Sequence, residues 1–320
     1  MRRLLAGLAA AMLAGSLVAC GSESGGGGST AEGGVDKVKV GVIPIVDVAP
    51  IYLGQQKGFF KNRNIELTLE VAAGGAAIVP GVTNNQTQFG FSNFTSLLIA
   101  QTKGLPIKVV AAGVASTGEA GKDFGAVVVK GDSPIKTAKD LAGKKVSVNT
   151  LKNIGDTATR ESIRKVGGDP STVSFVEMPF PNMPAALDKG EVEAAWVVEP
   201  QLSTIKAAGG REVASTYVDV APNLTVAAYF TSQKLIAEDP DLVKRFTEAM
   251  NESLTYADAH PDEVRTILGT YTKIDEKVRA SLVLPKWPAQ INEASLQTLI
   301  ALGEKDGIFS GTPDLAKLLP

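Results

Sequence analysis

The sequence is poor in the residues that carry out chemistry. One cysteine, Cys20, and one histidine, His260, occur in 320 residues. A lone cysteine closes no disulfide within the chain, and one cysteine with one histidine offers no zinc site of ordinary spacing. His260 stands before Pro261 between two predicted helices, which is a helix-end or loop position, and without a second suitable histidine no Ser-His-Asp arrangement can be built. The chain also lacks a long apolar run. The stretch Leu4 to Val18 is 15 residues and is broken by Gly7 and Gly15, whereas a bilayer-spanning helix needs about 20. Charge of neither sign dominates: 32 Lys and Arg face 34 Asp and Glu, a net charge of −2, so no basic nucleic-acid surface is implied. The segment Gly113-Val114-Ala115-Ser116-Thr117-Gly118-Glu119-Ala120 has the glycine spacing of a phosphate loop but lacks its Lys and Ser/Thr.

The N-terminus is more informative. A basic start, Met1-Arg2-Arg3, precedes the short apolar core, which ends in Leu17-Val18-Ala19-Cys20. That order reads as a lipoprotein signal peptide over residues 1–19, with small residues at the cut and the thiol of Cys20 taking a diacylglyceryl group. Two or more acyl chains, at about 0.8 kcal/mol per buried CH₂, anchor stably where one chain would not. Residues 20–35, rich in Gly and Ser, form a flexible tether. Removal of residues 1–19 leaves 320 − 19 = 301 residues and, without Arg2 and Arg3, a net charge of 30 − 34 = −4. The expected location is the cell envelope, on the outer face of the cytoplasmic membrane or in the periplasm.

From Val38 onward, short β-branched runs alternate with helical patterns, as in sheets covered by helices. Strands are predicted at Val38–Ile43, Ile65–Val71, Gln88–Ser92, Ile107–Ala112, Gly125–Val129, Lys145–Val148, Val173–Glu177, Val192–Val198 and Leu224–Phe230. Helices are predicted at Ile51–Phe60 with Pro50 in the first turn, near Phe94–Lys103, from Ser133-Pro134, and at Asp156–Val166, Met183–Lys189, Asp241–Ala259 and Glu293–Lys305. The fold class is α/β in two lobes with a helical C-terminal part: 36–112 plus 223–320 as the first lobe, and 113–222 as the second. No internal repeat is present.

Several stretches resemble one family in order and spacing. Ile51-Tyr52-Leu53-Gly54-Gln55-Gln56-Lys57-Gly58-Phe59-Phe60 is similar to its first helix, Asp140-Leu141-Ala142-Gly143-Lys144-Lys145-Val146 to a second motif, and Ala185 to Ala195 with Glu199-Pro200 to a third. The family is the ABC-importer solute-binding proteins for sulfonates, taurine, nitrate and thiamine-pyrimidine precursors, and the similarity spans roughly Val38 to Leu319. It implies a two-lobed venus-flytrap fold of the periplasmic-binding-protein type (type II-like) that hands a small molecule to a membrane permease and its ATPase subunits. A monomer with no cofactor, and not an enzyme, is implied. The family's eukaryotic enzymatic branch uses a cysteine-rich motif and a reactive histidine, which this chain lacks.

Ligand contacts are expected in loops at the carboxyl ends of strands, where open α/β sheets bind. Asp47, beside Val48 after the first strand, is either a contact or the cap of the helix at Pro50. Of Ser92 and Asn93, one caps the following helix and leaves the other facing the cleft. In the second lobe, Lys152, Asn153 and Gly155 lie in the family's ligand loop, Lys152 being either a ligand charge or a solvated surface group. Glu199 ends an apolar strand and either pairs with a ligand ammonium or caps the helix after Pro200. Tyr229 lines the cleft or packs in the hinge, while Phe89, Phe91 and Trp196 are expected in the core. Asp47 and Glu199 favour a cationic or donating end, helix N-termini favour a sulfonate or carboxylate, and a taurine-like amino-sulfonate satisfies both. A nitrate-type anion or a thiamine-pyrimidine precursor is the alternative, the latter requiring aromatic walls; a secreted enzyme or a sensor on the same scaffold is the competing class.

Overall fold

The computed structural model describes residues 34–320. The predicted signal peptide, Cys20 and nearly all of the tether lie outside the described residues. Among these residues ten strands form two five-stranded sheets. The first contains β1 (Asp36–Val42), β2 (Ile65–Val71), β3 (Phe89–Asn93), β4 (Ile107–Ala115) and, from far along the chain, β10 (Thr225–Ser232), in the order β2-β1-β3-β10-β4. The second contains β5 (Gly125–Val129), β6 (Lys145–Val148), β7 (Ser174–Glu177), β8 (Ala194–Val198) and β9 (Arg211–Ala214), in the order β7-β6-β8-β5-β9.

Each sheet has a parallel part and one strand running against its neighbours. β1 pairs in parallel with β2 and β3, and β6 with β7 and β8. β10 is antiparallel to β3 and β4, and β5 to β8 and β9. Both of these strands directly follow a passage of the chain from one sheet to the other. Their sequences, GAVVV in β5 and TVAAYFTS in β10, are buried throughout, as expected of central strands covered on both faces. β1 instead alternates near its start, with Lys39 exposed between buried Val38 and Val40.

The helices are α1 (Ala49–Lys57), α2 (Gly75–Thr83), α3 (Phe94–Thr102), α4 (Ile154–Lys165), α5 (Met183–Lys189), α6 (Gln201–Ala207), α7 (Thr216–Val220), α8 (Gln233–Glu238), α9 (Pro240–Ala259), α10 (Pro261–Tyr271), α11 (Glu276–Ala280), α12 (Glu293–Lys305) and α13 (Leu315–Leu318). α1 carries Pro50 in its first turn and ends on Gly58 at φ 81°, the left-handed conformation that glycine closes helices with. One local reading of the sequence needs correction, and one helix escaped it. Ser133-Pro134 starts no helix; the turn forms later, at Ala138–Leu141, where Thr137 and Asp140 make a reciprocal capping box. α2 has weak intrinsic propensity, with Pro80 and Gly81 inside it. Packing overrides this, because Ile78 fits against the bare backbone of Gly41 in β1 and Gly90 in β3, where an added Cβ would lie 2.6 and 2.5 Å from it.

The two passages between sheets run side by side. β4 continues past Gly113 to Ala115, and the next residue, Ser116, donates its N–H to the carbonyl of Leu224 on the return segment at 2.9 Å. The Ser116 hydroxyl and the N–H groups of Thr117 and Phe124 converge on Asp123. The phosphate-loop-like stretch is thus the end of β4 and the start of the passage. His260 caps the junction of α9 and α10, stacked on Tyr256 with ring centroids 3.8 Å apart.

Candidate binding site between the two sheets

The parallel strands of both sheets point their carboxyl ends at one cleft. From the first sheet come Ile43, Ile45 and Asp47 after β1, Phe91 and Asn93 from β3, and Val226 and Ala227 from β10; from the second come Asn149 after β6, Ile154 of α4, Phe180, Trp196 and Val198 of β8, and Tyr217 of α7. They enclose about 20 Å³, room for about one water. Its polar side chains are Asp47, Asn93 and Asn149 together with the phenol of Tyr217, and no Lys or Arg lines it. Four aromatic rings form its walls, with Phe180 tilted on Trp196 at 5.7 Å and Trp196 edge-on to Tyr217 at 6.0 Å.

Asp47 is the charged group of this cavity. It is 3 % exposed, and its Oδ1 has no hydrogen-bond partner in the protein. Burial, assisted by the field of Asp123 and opposed by its own backbone N–H, raises its carboxyl from 3.8 to about 7. It does not cap α1, whose N-cap residue is Val48 with no side-chain cap bond. Val48 itself is fully buried and does not line the cavity. The backbone at Asp47 is fixed from behind, where Trp287 donates its indole N–H to the Asp47 carbonyl at 3.0 Å.

Of the Ser92 and Asn93 pair, Asn93 is the cap: its Oδ1 accepts from Ser96 N at 2.9 Å, and it lines the cavity as well. Ser92 is fully buried beneath Gly75 and does not reach the cleft. Asn153 caps α4, and its Nδ2 donates to the Ser96 hydroxyl of α3 at 3.0 Å, a direct bond between the helices that follow β3 and β6. Lys152 is exposed, at φ 51°, and bonds through its backbone N–H to Asp156. Burial raises the Asp156 carboxyl to about 6, against the pull of that N–H and of Arg160. Gly155 is a close-approach position, since a Cβ there would lie 2.7 Å from the Trp196 ring.

Glu199 and Tyr229 stand away from the cavity. The Glu199 carboxylate accepts from Ser203 N at 2.9 Å and Ser203 Oγ at 2.6 Å in α6, and from Val283 N at 3.1 Å. It is the helix-binding acid of the two readings, and its carbonyl also receives Val46 N at 3.0 Å. Tyr229 packs in the first sheet's core against Phe91 and Phe246. Its buried hydroxyl is unpartnered, and burial pushes its pKa well above 10. Phe89 is core, stacked on Phe246 at 3.7 Å, whereas Phe91 and Trp196 are both buried and cavity-lining. Sequence reasoning missed Phe180 and Tyr217; the bracketing prolines of Pro179-Phe180-Pro181 were the available signal for the first.

A cleft between two such sheets, each presenting strand ends and helix starts, is the architecture of a periplasmic substrate-binding protein. The chain belongs to the NMT1/THI5-like family, whose model matches residues 45–264. A protein of Brucella abortus named as a binding protein is 24% identical over 268 residues, covering 82% of this chain and 79% of that one. The riboflavin-binding protein RibY of Chloroflexus aurantiacus is 24% identical over 225 residues, covering 69% and 62%. The alkanesulfonate-binding protein SsuA from Xanthomonas axonopodis pv. citri, solved with bound MOPS, superposes with a TM-score of 0.75 at 16% identity over 89% of this chain and 98% of its own. That likeness establishes the two-lobed fold.

Proposed function

We propose that this chain is the solute-binding component of an ABC importer and that it takes a small, flat organic amine into the cleft. The lobes are 36–112 with 223–320 and 113–222, and the loaded, closed protein presents its solute to a permease and its ATPase subunits as a monomer. Closure requires a ligand that touches both lobes. The observation that carries the ligand chemistry is Asp47, a buried carboxyl with one unpartnered oxygen in a cavity without a cation. An anion there would meet a like charge as Asp47 ionises. A heterocyclic amine meets a complementary group: a neutral carboxyl offers one donor and one acceptor to a ring N–C–NH₂ edge, and a carboxylate pairs with a cation. The walls of Phe91, Phe180, Trp196 and Tyr217 supply the faces that such a ring needs.

This reading turns the ligand from a taurine-like compound toward the pyrimidine alternative. The amino-sulfonate remains the second reading, favoured by the N-termini of α3 and α4 at the cleft and by the sulfonate relative. A thermal-shift panel on the full chain, with 2-aminopyrimidine, riboflavin, taurine, an alkanesulfonate and nitrate, tests both. 2-Aminopyrimidine is expected to raise the melting temperature as ln(1 + [L]/Kd) and to be recovered unchanged. Stabilisation by nitrate or an alkanesulfonate alone would overturn the flat-amine reading, and turnover would overturn the binding role.

The anchor follows from the Leu17-Val18-Ala19-Cys20 sequence. Cys20→Ser is expected to leave unprocessed precursor or released protein in membrane fractionation. A processed, membrane-bound Cys20→Ser protein would refute lipidation.

A further inference from the structure

Two cavities share a wall. The inner one, beside Asp47, holds about 20 Å³, and an outer one at the mouth of the cleft holds about 250 Å³. They share two lining residues, Ile43 and Phe180. Phe180 sits on a single 3-10 turn between Pro179 and Pro181, so ring constraints fix the backbone on both sides while the benzyl group retains its two torsions. Its ring is 3 % exposed and leans on Trp196.

The inner volume accepts a water and no organic amine. A ligand on Asp47 must therefore displace part of the wall, and the next space outward is the larger cavity. The rest of that outer lining, Pro44, Val71, Ala72, Ala73, Pro179 and Pro181, carries no charged or hydrogen-bonding side chain. Val71, at its rim, is 62 % exposed, an apolar surface without cover. We infer that the outer cavity is a second subsite of the same binding site, accepting an uncharged aryl or alkyl substituent of the ligand whose donating edge meets Asp47, and that Phe180 is the gate whose rotation joins the two spaces. This rests on the flat-amine reading above.

The test compares two probes, 2-aminopyrimidine and 2-amino-4-phenylpyrimidine, by titration calorimetry on the full chain. The ratio of their affinities cancels any loss that a variant inflicts on folding or closure. Wild type is expected to bind the phenyl probe about tenfold more tightly, the value of burying part of one ring. Ala73→Trp, which fills the outer cavity, and Val71→Asp, which sets a charge against the substituent without filling it, should each bring the ratio to about one. Phe180→Ala should speed association of the phenyl probe in stopped-flow mixing, and an unchanged rate overturns the gate. A wild-type ratio near one, or a tenfold ratio that survives both variants, overturns the subsite while leaving the flat-amine reading intact. Failure of the phenyl probe alone likewise overturns only the subsite, whereas failure of both probes to bind wild type overturns the flat-amine reading and, with it, the subsite.

Discussion

Asp47→Asn is expected to weaken binding of a protonated amine by roughly 30-fold or more, the usual cost of removing one partner of a buried charge-assisted pair, while a neutral N–C–NH₂ edge, which an amide meets as a protonated carboxyl does, is affected little. The same change is expected to stabilise the empty protein above neutral pH. The folded-state carboxyl is raised from 3.8 to about 7, so between those values the folded chain holds a proton that the unfolded chain has released. Stability therefore falls as pH rises through that window, and integrating over it gives a loss of about 4 kcal/mol as an upper bound. Asparagine keeps the shape and has no proton to lose. Melting curves at pH 5 and pH 8 should thus diverge more for wild type than for the variant, which keeps the smaller dependence of the other raised carboxyls, Asp156 among them. Unchanged affinity for a protonated amine in Asp47→Asn would remove this residue from recognition.

Glu199→Ala is expected to cost about 3 kcal/mol or more of stability. Three donors, the N–H and hydroxyl of Ser203 and the N–H of Val283, end on its carboxylate, and truncation orphans all three in a buried place at about 1–3 kcal/mol each before relaxation. Burial raises the Glu199 carboxyl above its ordinary 4.5, so desolvation offsets part of what those bonds contribute, and the net loss stays below their sum. Glu199→Gln should fall between, because its single carbonyl oxygen serves one side while its amide turns a donor toward another. Chemical denaturation measures both. A ligand affinity lost in Glu199→Gln without loss of stability would return Glu199 to the ligand.

Strands were legible wherever burial imposes a simple pattern, as in the alternation of Ile65–Val71 or the unbroken apolar run of Ala194–Val198. α2 was not, because its stability comes from the groove over Gly41 and Gly90 and not from its own residues. Among the cavity-lining residues, Asp47 and Asn93 could be read because a polar group closing a strand has few other uses. Glu199 shows the limit of that rule: the same position on β8 serves a helix, and only the three-dimensional course of α6 and of the segment at Val283 distinguishes the roles. The aromatic wall was hidden for a different reason. Phe91 and Trp196 are as buried as any core residue, and composition cannot tell a ring facing a cavity from one facing another ring.

The insertion of β10 between β3 and β4 also bears on how the protein is made. β4 has no strand neighbour in its sheet except β10, which begins 110 positions after β4 ends (225 − 115). During synthesis the first sheet must wait with two unpaired edges, whereas the second, complete by Ala214, is contiguous in the chain. Synthesis therefore completes the strand set of the later-encoded sheet first, and a nascent chain stopped before Thr225 lacks the strand that covers the edges of β3 and β4, open edges of the kind that invite aggregation.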